Sequence, residues 1–388
     1  MQILVDIRLL GKGGVSGIEE YTRNLLQQIL TIDRSNDYIL FYNGLRKQLL
    51  DINVAPRLRS GIKVIDWHLP NKVLDFSTRF FRFPAIDNFI KTDLVFSPHF
   101  NILSVRKAPR VITFHDLSFL HHPSFFSWKQ KFWHWLQNIK KQAREAEKII
   151  AVSEFTKNDL VNLLGISPEK ISVVYSGISE EFGKIAASST SDLAYRQAGA
   201  SEVGARNDHK PYILYLGTLE PRKNVPAIIR AFNILKNKAA FRDWQLVIAG
   251  RPGWLFEDIL REISASPHKG DIVLKGAVSP EERVSLYNLA KVFVYPSFFE
   301  GFGFPPLEAQ ACGCPVVVSD RTSLPEIVGD SALLVNPWKV EDLANAVEEA
   351  ALNNQLRGKL IKAGQENVKR FTWKKTAEET LEVFNNIK

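Results

Sequence analysis

Two carboxylates, Glu300 and Glu308, stand eight residues apart in Phe299-Glu300-Gly301-Phe302-Gly303-Phe304-Pro305-Pro306-Leu307-Glu308. The apolar run Val292-Phe293-Val294, ended by Tyr295-Pro296-Ser297, predicts a buried strand before them. Leu307–Cys312 predicts a helix that opens after the prolines, where a fixed φ and a missing N–H do no harm. The glycine-rich loop is therefore caught between a strand end and a helix N-terminus, where bare N–H groups and the positive end of the dipole favour an anion. Glu300 in the loop and Glu308 one turn into the helix can reach hydroxyls on two parts of one ligand. Two carboxylates beside anion-binding amides suit a nucleotide sugar better than a bare nucleotide. The plainer alternative is a pair of acidic residues that stabilise a helix N-terminus.

Arg222 and Lys223 follow the apolar run Tyr212–Leu216 and the turn Gly217-Thr218-Leu219-Glu220-Pro221. A planar fork of donors beside a point charge suits a diphosphate. Fixed cations at a leaving diphosphate stabilise the transition state more than the ground state. The alternative is a solvated basic turn. His115 follows the run Val111–Phe114, at the carboxyl end of a strand. Its neighbour Asp116 could orient it, bind an acceptor or cap the following segment. Gly13 and Gly14 would let backbone approach a diphosphate closely. No Asp-x-Asp stands at a strand end and no His-x-x-x-His lies on a helix, so no metal site is expected. Cys312 and Cys314 are the only cysteines, too close for an ordinary disulfide, and read as small core residues of a reducing cytosol.

These residues need elements to position them. Short apolar runs, suited to parallel strands buried on both faces, recur at 3–7, 38–42, 62–65, 94–96, 110–114, 148–152 and 171–174. Helical patterns at 18–30 and 128–146 lie between them. A second set begins at 212–216 and continues at 245–249, 272–275, 292–294, 316–318 and 332–335, with helices at 224–236 and 342–352. The alternation predicts an α/β architecture of two Rossmann-like, doubly wound domains, and 388 residues are too many for one ordinary core. The first domain is expected at 1–184 and the second at 210–371. Residues 185–209, rich in Ala, Ser and Gly, read as a surface excursion. A last helix over 372–387 opens at a Thr372 N-cap. Ligands in such sheets bind beyond the carboxyl ends of the strands, and two domains facing each other would make a cleft there.

The net charge is +8, no apolar run approaches the roughly 20 residues of a membrane span, and Met1-Gln2-Ile3-Leu4-Val5-Asp6 runs directly into a strand, unlike a signal peptide. A cytoplasmic protein is expected. Residues 79–144 hold eleven Lys and Arg against three Asp, interleaved with Phe80, Phe81, Phe83, Phe125, Phe126, Trp128, Phe132, Trp133 and Trp135. A basic, aromatic-rich surface suits an anionic membrane and a phosphate-bearing lipid acceptor, making the protein peripheral on the inner face of the plasma membrane. No nucleic-acid motif accompanies it. The alternative is that these aromatics pack inward and the charges are solvated.

The segment from Tyr295 to Pro315 resembles the donor-site signature of family-four retaining glycosyltransferases, which have the GT-B fold. Gly11-Lys12-Gly13-Gly14-Val15-Ser16-Gly17-Ile18, Phe114-His115-Asp116-Leu117, Ala151-Val152-Ser153-Glu154-Phe155-Thr156, Val173-Val174-Tyr175-Ser176-Gly177 and Leu216–Asn224 resemble further segments of that family in the same order. The resemblance implies Arg222 and Lys223 on the diphosphate, Glu300 on the donor sugar's hydroxyls near the anomeric carbon, Glu308 on the ribose, and His115 near the sugar and reacting centre. It implies backbone contacts from Gly13, Gly14, Gly217, Thr218, Gly301, Phe302, Gly303 and Phe304 to the phosphates or sugar, and from Val278 to the base. Phe302 and Phe304 serve equally as core residues. The nucleoside-diphosphate sugar would be a substrate, with no cofactor and no metal. Attack and departure would occur on one face of the donor, with the leaving phosphate taking the acceptor's proton. The last helix would cross back onto the first domain. The expected activity is retaining transfer of a hexose from GDP-mannose or UDP-glucose to a glycan or lipid-linked acceptor in cell-surface polysaccharide synthesis. A non-catalytic nucleotide-sugar-binding protein, or a synthase or phosphorylase on the same fold, is the alternative. Turnover of a donor with release of nucleoside diphosphate separates the first of these.

Overall fold

The apolar runs form two all-parallel sheets in a computed structural model that describes residues 1–12, 17–44, 62–182 and 210–387. The first sheet comprises β1 (Gln2–Asp6), β2 (Asp37–Tyr42), β3 (Ile62–Asp66), β4 (Leu94–Ser97), β5 (Arg110–Phe114), β6 (Lys148–Ala151) and β7 (Ile171–Val173), in the order β3-β2-β1-β4-β5-β6-β7. The second comprises β8 (Tyr212–Leu216), β9 (Gln245–Ala249), β10 (Ile272–Gly276), β11 (Val292–Tyr295), β12 (Val316–Ser319) and β13 (Leu333–Val335), in the order β10-β9-β8-β11-β12-β13. Parallel neighbours need crossovers, and helices supply them while covering both faces. The helix Val225–Lys236 shows how: Val225, Ile228, Ile229, Phe232 and Leu235 recur at spacings of three and four and are all buried. Each such side chain contributes about 1.5–3 kcal/mol relative to exposure.

Both orders reverse once, between β1 and β4 and between β8 and β11. Each is the doubly wound arrangement, with a switch point at the carboxyl ends of its central strands.

The chain divides into two compact units, Met1–Gly177 with Phe371–Lys388, and Ile178–Arg370. The division falls before the expected residue 184. Phe182 explains why: it is buried in the second unit's core, its ring 6.3 Å from that of Tyr287. The expected excursion at 185–209 lies outside the described residues. In the first unit, the closing helix Trp373–Asn385 packs on Gly17–Ile32, with Trp373 5.9 Å from Tyr21 and Phe384 5.0 Å from Phe96. Thr372 caps it, its side chain accepting from the Lys375 amide at 3.2 Å. Gly177 permits the approach, because a Cβ there would lie 2.2 Å from the Trp373 nitrogen.

Two helices differ from expectation. The run expected at 128–146 breaks into Trp128–Gln137 and Ile139–Glu145, because Asn138 adopts the left-handed conformation (φ 49°). The helix expected from Leu307 to Cys312 is Phe304–Ala311, so Pro305 and Pro306 lie within its first turn, where their missing N–H groups have no helical acceptor to lose. The aromatics of this region divide: Trp133 packs against the first unit's core, and most of the others face outward. Phe80, Phe81, Phe83, Trp128, Phe132 and Trp135 are all more than half exposed, whereas Phe126 is buried.

Candidate active site

At the switch point of the second sheet, β8 and β11 lie side by side and their carboxyl ends carry most of the expected donor residues. Beyond β8 the chain turns through Gly217 and an exposed Thr218 into a short 3₁₀ turn, Pro221–Lys223. Asn224, with φ 56°, reverses it into the next helix. The Asn224 side chain donates through Nδ2 to Pro296 O at 3.3 Å and Pro337 O at 2.7 Å, fastening this turn to the segments after β11 and β13.

That fastening brings Arg222, Lys223 and Glu300 together across 77 or more residues of chain. Arg222 donates to Glu300 Oε2 at 3.0 Å and to Phe299 O at 3.1 Å, and pairs with Glu220. Lys223 Nζ donates to Glu300 Oε1 at 2.5 Å and to the Tyr295 hydroxyl at 2.6 Å. Both oxygens of Glu300 thus meet the basic pair, and two cations are balanced by two buried carboxylates, Glu220 and Glu300. Burial pushes the Glu300 carboxyl up, but Lys223 and Arg222 outweigh it and hold it below its ordinary range. Burial and the neighbouring Arg222 hold the Lys223 ammonium below its ordinary range. Arg222 is the more approachable cation: its side chain is 19% exposed and that of Lys223 7%.

The loop itself is fixed from behind. The Glu300 amide donates to Thr322 Oγ1 at 3.0 Å, and Ser323 Oγ donates to the carbonyls of Glu300 and Phe302, each at 2.9 Å. Gly301, Phe302 and Gly303 are buried and Phe304 is half-buried. Gly303 has φ 114°, and a Cβ there would lie 2.8 Å from Leu324 Cδ2, so two constraints select glycine.

Glu308 occupies a different environment. It is buried, accepts from the Tyr287 hydroxyl at 2.9 Å and pairs with Arg283 at 3.4 Å. Both partners come from one face of the helix Pro280–Leu289, four residues apart. Ser279 opens that helix with a capping box through Glu282, and the half-buried Val278 precedes it.

In the first unit, His115 lies at the carboxyl end of β5. Its Nε2 is 2.8 Å from Pro98 O, beyond the end of β4, and the Tyr21 ring meets the imidazole edge-on at 4.7 Å. A carbonyl only accepts, so Nε2 carries the proton and Nδ1 is the acceptor nitrogen of a neutral ring. Burial lowers the His115 pKa against the opposing effects of Pro98 and Asp116, which favours that neutral form. Asp116 Oδ1 accepts from the Ser118 amide at 2.9 Å and hydroxyl at 2.6 Å, bracing the start of the segment that follows. Gly13 and Gly14 lie outside the described residues.

The residues that sequence reasoning missed are partners rather than principals: Glu220, Tyr295, Ser323, Arg283 and Tyr287. Gly250 was also missed, although Gly250-Arg251-Pro252-Gly253 at the end of β9 is itself a turn signal. Its φ is 146°, and a Cβ there would lie 1.8 Å from Gly217 O. Cys312 and Cys314 are buried free thiols; burial raises both, Cys314 to about 12. Among the described residues no group of three His, Cys, Asp or Glu is placed to hold a metal ion. No helix among them is long and apolar enough to cross a membrane.

Two doubly wound units, the second with a basic pair and a buried carboxylate clustered at its switch point, have the architecture of the GT-B class. Comparison with known proteins agrees. The Glycosyltransferase Family 4 profile matches residues 15–182 and that of Glycosyl transferases group 1 matches residues 199–367. O-antigen chain mannosyltransferase B of Escherichia coli is 30% identical over 274 residues, 71% of this chain and 69% of that protein. The serotype-specific mannosyltransferase WbdA of Escherichia coli is 30% identical over 276 residues, 70% of this chain but 33% of that longer protein. The crystal structure of Anabaena Alr3699/HepE in complex with UDP-glucose superposes with a TM-score of 0.71 at 16% identity, covering 100% of both chains. This chain belongs to the family of GT-B glycosyltransferases that joins a family-four N-terminal half to a group 1 C-terminal half.

Proposed function

We propose that the protein transfers a hexose from GDP-mannose or UDP-glucose to a glycan or lipid-linked acceptor in cell-surface polysaccharide synthesis, with retention of anomeric configuration. The observation that carries this reading is the Arg222–Lys223–Glu300 cluster at the β8/β11 switch point. The name of the mannosyltransferase relative supports mannose, and the HepE complex supports a UDP-sugar on the same scaffold.

In this reading Arg222 and Lys223 take the donor's diphosphate and neutralise the charge that grows on it, without a metal. Glu300 holds both cations in place and meets the sugar's hydroxyls, while Glu308 takes the ribose. Amides of Gly217, Thr218 and the Gly301–Phe304 loop meet the phosphates and sugar, and the Val278 backbone meets the base. His115 faces the sugar as a neutral ring. The acceptor oxygen bonds to the anomeric carbon as the bond from that carbon to the phosphate oxygen breaks, on the same face. The acceptor's proton passes to the leaving phosphate oxygen. The exposed aromatics and basic residues of 79–144 bring this cytoplasmic protein to an anionic membrane where such an acceptor resides.

Thermal shift against a panel of nucleotide sugars tests the donor: one present at a hundred times its dissociation constant stabilises by about 2.7 kcal/mol. NMR of the product should then show the donor's anomeric configuration, with activity surviving EDTA. Inversion, or complete loss in EDTA, would overturn the retaining, metal-independent mechanism.

A further inference from the structure

The helices Asn71–Phe81 and Trp128–Gln137 pack side by side in the first unit and turn an unusual face to solvent. Phe76 lies 4.6 Å from Phe80, Phe80 6.2 Å from Trp135, and Trp135 5.6 Å from Phe132, measured between ring centroids. All four are more than half exposed. A contiguous apolar patch of this kind marks an interaction surface.

Beside it is a cavity of about 70 Å³, enough for several waters where one needs about 10–15 Å³. Its lining carries four cations, Arg79, Arg82, Arg110 and Lys141, against one carboxylate, Glu145. Glu145 is 3.2 Å from Arg82 and 4.0 Å from Lys141. Arg110 is buried, yet its hydrogen bonds go only to neutral acceptors: Ser97 Oγ, Leu103 O, Gln142 Oε1 and Asn101 O, at 3.0–3.1 Å. Thr78, also buried in the lining, has a hydroxyl with no hydrogen-bond partner. Asp6 and Glu145 lie near enough to act on Arg110, but no carboxylate accepts a hydrogen bond from this buried guanidinium, and the Thr78 hydroxyl is unsatisfied; an anion with acceptor oxygens would relieve both. Arg79 joins the two features, lining the cavity while its guanidinium lies 5.1 Å from the Trp135 ring centroid.

We infer that this face docks on an anionic membrane, with the phosphate of a lipid headgroup seated among Arg79, Arg82, Arg110 and Lys141 and the rings of Phe76, Phe80, Phe132 and Trp135 in the interface. The basic lining complements the phosphate, and the aromatic rings belong at headgroup depth. This deepens the membrane part of the proposed function and does not depend on the transfer chemistry.

The test is sedimentation of the full chain with vesicles of phosphatidylcholine alone, or of equal parts phosphatidylcholine and phosphatidylglycerol. Wild type should bind the mixed vesicles and leave the zwitterionic ones. The triple variant Arg79→Gln, Arg82→Gln, Lys141→Gln spares the buried Arg110 and should bind about a hundredfold more weakly. A control triple, Lys63→Gln, Lys374→Gln, Lys375→Gln, removes the same charge from exposed positions of the same unit and should stay within a few-fold of wild type. Thermal melts confirm that both triples fold. If the two triples weaken binding equally, attraction is diffuse and the headgroup site falls while the membrane reading stands. If wild type ignores anionic vesicles, both fall. If inorganic phosphate stabilises wild type in a melt at matched ionic strength while anionic vesicles stay unbound, the cavity takes a free anion and the lipid is overturned.

Discussion

Glu300 and Glu308 are both buried carboxylates, but they have different partners, and their substitutions should separate. Glu308 is held by Tyr287 and Arg283, away from the basic pair. Glu308→Ala should weaken binding of bare GDP or UDP about 10- to 100-fold, the worth of a hydrogen bond to a charged group. Glu300→Gln should leave that affinity unchanged or raised, because Arg222 and Lys223 lose a competing carboxylate. It should depress transfer at saturating donor, since the cations are no longer held in register. Calorimetry with the bare nucleotide, beside kcat for transfer, reads both. Loss of nucleotide affinity in Glu300→Gln alone would reverse the assignment. The principals of this site were legible because an acidic pair, a basic pair and a histidine each follow an apolar run, where a strand should end. Their partners were not. Glu300 meets Arg222 and Lys223 across 77 or more residues, and Tyr287 meets Glu308 across 21. No local spacing encodes such contacts. Ser323 and Asn224, which fix the loops from behind, are invisible for the same reason.

At the level of elements, the strands were the readable part, since a strand covered on both faces must be apolar throughout. Helix limits were less so. The prolines lie inside the first turn of Phe304–Ala311 rather than before it, and Asn138 is a residue that tolerates the left-handed conformation but does not require it. Trp128, Phe132 and Trp135 face out because the neighbouring helix does not cover them, whereas Trp133 packs against the core. One turn offers a clean test. Asp33 ends the helix Gly17–Ile32 and leads into β2; it accepts from the Ser35 backbone amide and hydroxyl and from Asn36 Nδ2, each at 2.8 Å, and from the Tyr38 hydroxyl. Burial pushes its carboxyl up, but the hydrogen bonds from Tyr38, Ser35 and Asn36 outweigh it and hold it at about 2. A depressed carboxyl stabilises the fold above its unfolded pKa of about 3.9 and ceases to as pH falls toward the folded value. Asp33→Asn should therefore cost about 1–2 kcal/mol at neutral pH, with the deficit closing between about pH 4 and 2. Urea unfolding across that range measures it, and a deficit independent of pH would refute the role.

At the scale of the whole molecule, the chain enters the second unit at Ile178, leaves it at Arg370, and closes the first unit with the helix Trp373–Asn385. That return follows from Thr372 as a cap and from a glycine at 177 that lets two backbones meet. The long insertion gives the second unit its own core and its own switch point, so the donor residues on β8, β11 and their loops fold as one body. The central claim is that this body holds the leaving diphosphate through Arg222 and Lys223. Release of nucleoside diphosphate from the accepted nucleotide sugar, in the presence of acceptor, tests it most directly in wild type, Arg222→Ala and Lys223→Ala, each shown to be folded by its thermal melt. Wild type should turn over, and each variant should lose about a hundred- to a thousandfold in kcat, as when one donor to a developing anion is removed. Wild-type turnover in both variants would contradict the claim.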